Sequence, residues 1–574
     1  MVDEVTSDSD FASHENNPVQ SQPTGRATKR ATQKKAQVGM KKNPEKRRNK
    51  APKILVKDAQ VTRVQPPIHH DSRKAPQDKE GMLSALLGTH VPVITASARS
   101  KLWSKQLSGP QSPFIAANCV YTAPKKLPEN LERGRSSASI IPDTRAYEQK
   151  RPQDHELSVR FRDAAGSRAS ETIMAYGSTY CSTINKDVSR SVTIFTGISN
   201  QSIDWLISRN ANQLLAVGGK KHDEEATPLF KFEPTSGDVQ IWNICRTATS
   251  TTSTLKIVYV HDYGATWQLK WCPAESRDPG LLGWLAGVFG DGAVRLWPVD
   301  ECSSPESPAI RRIHKPAYEF RVPDTQCVKL DWVSETRIAI ACANGMYVIW
   351  DFLSDPSLPS AVGHPHSSYI NNIVNCAPSA KNTILTSSWD CNITFSDLQQ
   401  WDNECLSATR ERMPVYAIAW SDFLNSAVMN EDLRGVRTVA MRTGNAFSIA
   451  AMAGTVTALA THAAHPFLAI GDTSGSVLVV NLCRKALWKK HEQFQRQVYQ
   501  LDWMRDLNAY DITENYQIGE LLSKTEAATA GVTNIYPNEL CIKDLAWNGN
   551  SGYEALLASC SANFVRIDDL TVTG

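Results

Sequence analysis

The chain has 574 residues, 62 basic and 59 acidic, which makes it nearly neutral and long enough for about four ordinary domains or one large repeat structure with tails. Hydrophobic residues at 41% against 21% charged provide for a sizeable core. The acidic, polar start at 1–9 excludes a secretory signal there. The most apolar run, 446–460, is too short and too rich in small and hydroxyl residues to span a bilayer. Thirteen cysteines, an odd number without one CxxC pair, point to reduced, mostly buried thiols of a soluble intracellular protein, not to a disulfide framework or a zinc module.

Charge is unevenly distributed. Residues 1–25 carry five acidic side chains and no Lys or Arg, whereas 26–57 carry thirteen Lys or Arg and one Glu, leaving 58–574 slightly acidic. Phe11 and Trp103 are the only aromatics in the first 110 residues, too little apolar material to offset the entropy of ordering a backbone. Residues 1–110 are therefore expected to be a largely disordered tail, with MLSALL at 82–87 as a transient apolar cluster. Within it, Lys29, Arg30, Lys34, Lys35, Lys41, Lys42, Lys46, Arg47, Arg48 and Lys50 are candidates for nuclear import and for nonspecific phosphate contacts. The bland alternative is a solvated charge run. No aromatics interleave with the charges, which argues against a base-stacking platform. Residues 111–190 contain Phe114, Tyr121, Ile140, Ile141 and Phe161 but no repeat, and read as a partly ordered linker or partner-binding segment.

After residue 190 short alternating segments recur between turns rich in Gly, Asp, Asn and Ser, at a ragged period near the ~40–45 residues of a propeller blade. The opening strands read SIDWLI (202–207), TWQLKW (266–271), CVKLDW (327–332), INNIVN (370–375), VYAIAW (415–420), VTALAT (456–461) and IKDLAW (542–547). Small-residue second strands follow, such as IAIACANG at 338–345, and then third strands ending in Trp or an equivalent, such as VRLWPV at 294–299. The recurring Trp271, Trp332, Trp420 and Trp547 read as packing residues; the fourth and sixth units have Asn375 and Thr461 there instead. These units resemble WD-repeat blades. Trp350-Asp351 is the one clear WD dipeptide, and Asp291, Asp390 and Asp472 stand where that family places a turn-stabilising Asp. The expectation is an all-β fold: a seven-bladed WD-repeat propeller over 191–570, with an insertion at about 505–540, behind a basic disordered N-terminal region. The last unit has only three strands, so SVTIFTG at 191–197 is expected to pair with it and lock the ring.

Motifs for catalysis are missing: there is no GxxxxGK[ST], GxSxG or HExxH. The close histidine groups, His69-His70, His364 with His366 and His462 with His465, read as surface or loop residues and not as metal ligands. Cys376 and Cys391 read as core. No enzyme activity, cofactor, metal or small-molecule substrate is expected.

Two segments are more particular. WCPAE with GLLGWLAGVFGDGAVRLWPV (271–275 and 280–299), and the ending IKDLAWNGNSGYEALLASCSANFVRIDDL (542–570), resemble the WD-repeat subunit of transcription factor IIIC. That resemblance implies a nuclear, non-enzymatic scaffold subunit of a DNA-bound factor for RNA polymerase III. It would support a much larger DNA-binding subunit over the internal promoter of tRNA genes, with the basic tail adding nonspecific DNA contacts, and its partner contact is expected in the insertion at 505–540. Another chromatin scaffold, a histone-tail reader and a ribosome-biogenesis scaffold are the alternatives. A cullin-ligase receptor is disfavoured because Leu353, Asn392 and Glu404 stand where that class carries Arg after a WD dipeptide.

Overall fold

The computed structural model describes residues 125–143, 156–162, 169–182 and 191–571, apart from 209–211, 221–235, 302–307, 400–404, 483–494, 515–517, 520–535 and a few single positions. The described chain is all-β, and its one α-helix is the short Glu129–Gly134. Four sheets contain four antiparallel strands each; they open with Thr266–Trp271, Cys327–Trp332, Ile370–Asn375 and Ile418–Ser421. A six-stranded sheet opens with Ser199–Trp205, an eight-stranded sheet with Val456–Ala460 and a five-stranded sheet with Asp544–Trp547. Each opening strand touches that of the next sheet, and the last touches the first, so the sheets form a propeller ring.

The sequence explains the layering. Second strands such as Arg337–Cys342 and Phe467–Asp472 are buried almost throughout, which suits their small residues in the crowded middle of a sheet. Bulky side chains from adjacent sheets fill the wedge between them. Trp284, Leu296, Leu330 and Ile340 share one apolar cluster, and Leu269, Tyr259, Leu285 and Trp297 share another.

The expected sequence of seven like units needs correction. Among the described residues six units, not seven, draw their four strands from one stretch of the chain; in the unit opening with Thr266–Trp271 that stretch also contains Ala274–Glu275 and Ala309–Lys315, which pair elsewhere. The C-terminal sheet has three strands of its own, ending in Phe564–Asp569, and Ser191–Phe195 completes it with Phe195 opposite Phe564 and Ser191 opposite Asp568. That pairing is the expected closure.

Residues 125–181 do more than link. Ser139–Pro142 extends the six-stranded sheet through Ala309–Lys315, and Thr179–Cys181 borders the C-terminal sheet. Glu156–Arg162 and Ala169–Ala175 extend the eight-stranded sheet through Ala509–Glu514. Outer edges that would otherwise template foreign strands are thus covered by the chain's own earlier segment. The expected insertion is also shorter than read. Ala509–Glu514 is a strand of that sheet, paired with Gln495–Met504, and Ile518–Gly519 pairs with Gln495 and Arg496 of the same strand.

Candidate interaction surfaces

The opening strands lie around the channel without backbone bonds to one another, and side chains join them. Trp271 Nε1 donates to Asp204 O at 3.2 Å, Trp332 to Lys270 O at 3.2 Å, Trp547 to Ala460 O at 3.1 Å and Trp205 to Ala546 O at 3.1 Å, each reaching the preceding sheet. Trp420 Nε1 donates to Ser379 Oγ at 2.9 Å. Where Trp is replaced the link persists: Asn375 Nδ2 donates to Trp332 O at 2.8 Å and Thr461 Oγ1 to Trp420 O at 2.5 Å. Sequence reading saw these two positions only as departures from a pattern. Their common signal is a side-chain donor at or next to the last residue of the opening strand. Trp271, Trp332, Trp420, Trp547 and Trp350 are all buried.

The three aspartates hold the turns between second and third strands. Asp390 accepts from Asn392 N at 2.8 Å, Asp472 from Ser474 N at 2.9 Å and Asp291 from Ala293 N at 3.3 Å. Gly292 (φ +75°) supplies the left-handed conformation that follows Asp291. Burial opposes the charge of Asp291, but the guanidinium of Arg295 at 2.5 Å, with Arg321 beyond it, holds the carboxyl below its ordinary range. Asp351 lies half-buried at the end of Tyr347–Asp351.

The histidines require correction. His366 is buried, with Nδ1 3.1 Å from Asp390 Oδ2 and Nε2 2.8 Å from Thr386 Oγ1; it ties a loop to the turn and is no surface residue. His465 is buried too, stacked on His462 with centroids 4.4 Å apart and set edge-on to Trp547 at 4.7 Å. Cys376 is buried as expected, but Cys391 is half-buried in a turn at φ +66°. Among the described residues no group of three or more His, Cys, Asp or Glu is placed to hold a metal ion. The ten basic candidates from Lys29 to Lys50, and His69-His70, lie outside the described residues.

Burial lowers the His462 pKa from its ordinary 6.5 to about 4 and lowers that of His465 as well. A folded pKa below the unfolded one means that this stability is present above about pH 6.5 and is lost as pH falls toward 4. Urea midpoints at pH 7 and pH 4.5 should show roughly 2–3 kcal/mol lost from this pair. His462→Asn is expected to flatten that dependence, and equal pH slopes for the two proteins would refute the assignment.

The channel encloses a cavity of 440 Å³. Lys270 Nζ is 3.3 Å from Asp204 Oδ1. Burial disfavours its charge, yet the combined fields of Asp204, Asp544 and Asp331 raise its pKa above the ordinary lysine value. Lys329 lacks such a pair, and burial lowers its pKa. The carboxylates also accept backbone N–H groups of neighbouring sheets: Asp204 from Trp271 N at 2.7 Å, Asp331 from Asn375 N at 2.7 Å and Asp544 from Ile203 N at 3.0 Å. Perturbed titration here has a structural cause, since these groups join the ring.

These features define a WD-like β-propeller. No family model matches the chain. It is 30% identical over 398 residues, 66% of this chain and 64% of the relative, to transcription factor tau subunit sfc6 of Schizosaccharomyces pombe. It is 24% identical over 398 residues, 64% of this chain and 56% of the relative, to the transcription factor tau 91 kDa subunit of Saccharomyces cerevisiae. The chain is thus a homologue of transcription factor tau (TFIIIC) subunits, as the resemblance indicated, and it spans less than two thirds of the length of these curated relatives.

Proposed function

We propose that this chain is a non-enzymatic, nuclear scaffold subunit of a DNA-bound transcription factor complex. It supports a larger DNA-binding subunit at the internal promoter of tRNA genes for RNA polymerase III. The observation that carries this reading is the relationship to two tau subunits over 398 residues each. The reading is supported by the channel carboxylates Asp204, Asp331 and Asp544, which are engaged in holding the ring together. In this reading the propeller over 191–570 is the docking body, with 125–181 as its outer cover and 1–110 as a basic tail.

Genome-wide occupancy of the tagged chain, measured by crosslinking and immunoprecipitation, tests the reading. Signal centred inside tRNA genes is expected; a flat profile or one spread over nucleosomes would discard it. The tail is proposed to bind phosphates through Lys29, Arg30, Lys34, Lys35, Lys41, Lys42, Lys46, Arg47, Arg48 and Lys50. Replacing these by Gln should reduce the slope of log affinity for duplex DNA against log salt by about 0.9 for each phosphate that is no longer neutralised, and an unchanged slope would remove the tail from DNA binding. Because Glu514 belongs to the fold, the deletion that tests partner docking through the insertion is 520–535, read by co-purification of the large subunit.

A further inference from the structure

The exposed aromatics are not scattered. Among the described residues the large apolar side chains left exposed include three aromatics, Trp267, Tyr369 and Trp389. Trp267 begins the Thr266–Trp271 strand, Tyr369 immediately precedes Ile370–Asn375 and Trp389 immediately follows Thr383–Ser388. First and second strands are antiparallel, so all three lie at the same end of their sheets, on one face of the ring. Of the exposed aliphatics, Ile141 and Ile173 are on outer edge strands.

On that face one corner is pre-organised. Trp389 N donates to Tyr369 O at 2.9 Å, which joins the two aromatics through backbone. Tyr416 stands edge-on to Trp389 with centroids 6.3 Å apart and planes at 87°. Tyr416 is itself fixed, its N donating to Asn430 Oδ1 at 2.9 Å and its O accepting from Asn372 Nδ2 at 2.9 Å. Ordering such a surface on binding adds little entropic cost, because the fold has already ordered it.

Among the charges at the corner, Glu411 and Asp390 are engaged within the fold, Asp432 is an exposed acid in the turn beside Asn430, and two arginines are exposed. Glu411, whose N donates to Cys391 O at 2.8 Å beside Trp389, is paired with Arg437. Asp390 accepts from Ser367 N at 3.0 Å and Asn392 N at 2.8 Å and contacts His366. Arg410 and Arg412, on either side of Glu411, are exposed, and their side chains make no hydrogen bond or ion pair among the described residues. Exposed Trp and Tyr beside free Arg is the composition of an interface hot spot.

We propose that this corner is a docking site for an acidic protein segment with an aromatic anchor. The anchor packs on Trp389 and Tyr369, and Arg410 and Arg412 take carboxylates from either side. A peptide is favoured over a nucleic acid because the arginines stand at one corner and do not line a groove that could track a phosphate backbone. This surface is independent of the proposed promoter role.

The test uses the full chain and fluorescence anisotropy of a short fluorescein-labelled peptide of aspartates and glutamates around one phenylalanine. The basic tract adds an electrostatic background common to all variants, so the readout is the difference between them. Trp389→Ala is expected to weaken binding by about 30-fold or more, and Arg410→Glu with Arg412→Glu to abolish the specific component. Unchanged urea midpoints would show that these exposed substitutions leave the fold intact. Equal affinity of wild type and Trp389→Ala, or displacement of the peptide by oligothymidylate at lower concentration than by unlabelled peptide, would overturn the proposal.

Discussion

Replacing Glu514 by alanine is expected to lower the unfolding free energy by about 3–5 kcal/mol, because it removes one of the two carboxylates on a buried guanidinium and leaves two buried serine hydroxyls without their acceptor. Arg566 is 2% exposed, which leaves it no water to fall back on. Its Nη2 lies 2.5 Å from Glu514 Oε1, its Nε lies 3.0 Å from Asp568 Oδ1, and its guanidinium sits 5.0 Å from the centre of the Tyr499 ring. Glu514 also accepts from Ser182 Oγ at 2.9 Å and Ser191 Oγ at 2.8 Å. One carboxylate therefore joins the eight-stranded sheet, the C-terminal sheet and the strand that closes the ring. Glu514→Gln keeps the acceptor for one serine and loses the charge, so it should fall between wild type and alanine. Urea unfolding followed by tryptophan fluorescence gives all three values, and a loss below about 1 kcal/mol for Glu514→Ala would show that the network does not hold the closure.

Trp547→Ala should be as damaging, at about 3–5 kcal/mol, since a large buried aromatic leaves a cavity between two sheets that cannot collapse freely. The ring contacts His465, and its Nε1 carries the link to Ala460 O. Trp547→Phe separates the two contributions: it retains most of the packing and removes the hydrogen bond, for an expected loss of about 1 kcal/mol plus a smaller packing deficit. Equal losses for both variants would assign the whole effect to the hydrogen bond and contradict the packing argument.

The repeat was legible because each opening strand states it twice, by alternation and by its closing residue. TWQLKW, CVKLDW and INNIVN coincide with the observed strands. The closing strand 191–195 was legible because a ring with one short unit demands a donor. What escaped were features set by neighbours distant in sequence. The short strands at 139–142 and 179–181 have little internal pattern, and only the uncovered edges of other sheets make them strands. VYQLDW at 498–503 carries the same pattern as CVKLDW, yet it forms the fourth strand of its sheet and not an opening one; alternation reports a half-buried strand but not its place in the sheet. The burial of His366 and His465 depends on Thr386, Asp390 and Trp547, and spacing between histidines carries no trace of that. Trp267 and Trp389 belong to strand and turn motifs whose other aromatics are buried, so their exposure becomes visible only in three dimensions.

The composite closure also sets the order of events during synthesis. Thr193 and Arg566, which meet in the buried network, are 373 residues apart. At about 5–20 residues per second a ribosome needs roughly 20–75 s between them. Throughout that interval the strand 191–195 is outside the tunnel with its final partner not yet made, and the same holds for 156–162, which waits for 509–514. Four-stranded sheets such as those opening at 327 and 370 can assemble as they emerge, but the ring cannot close before Phe564–Asp569 has been made. The nascent chain thus carries open strand edges throughout that interval, and this makes the first closing strand the point at which a holdase chaperone would act and at which termination before 564 would leave a sticky, unclosed product.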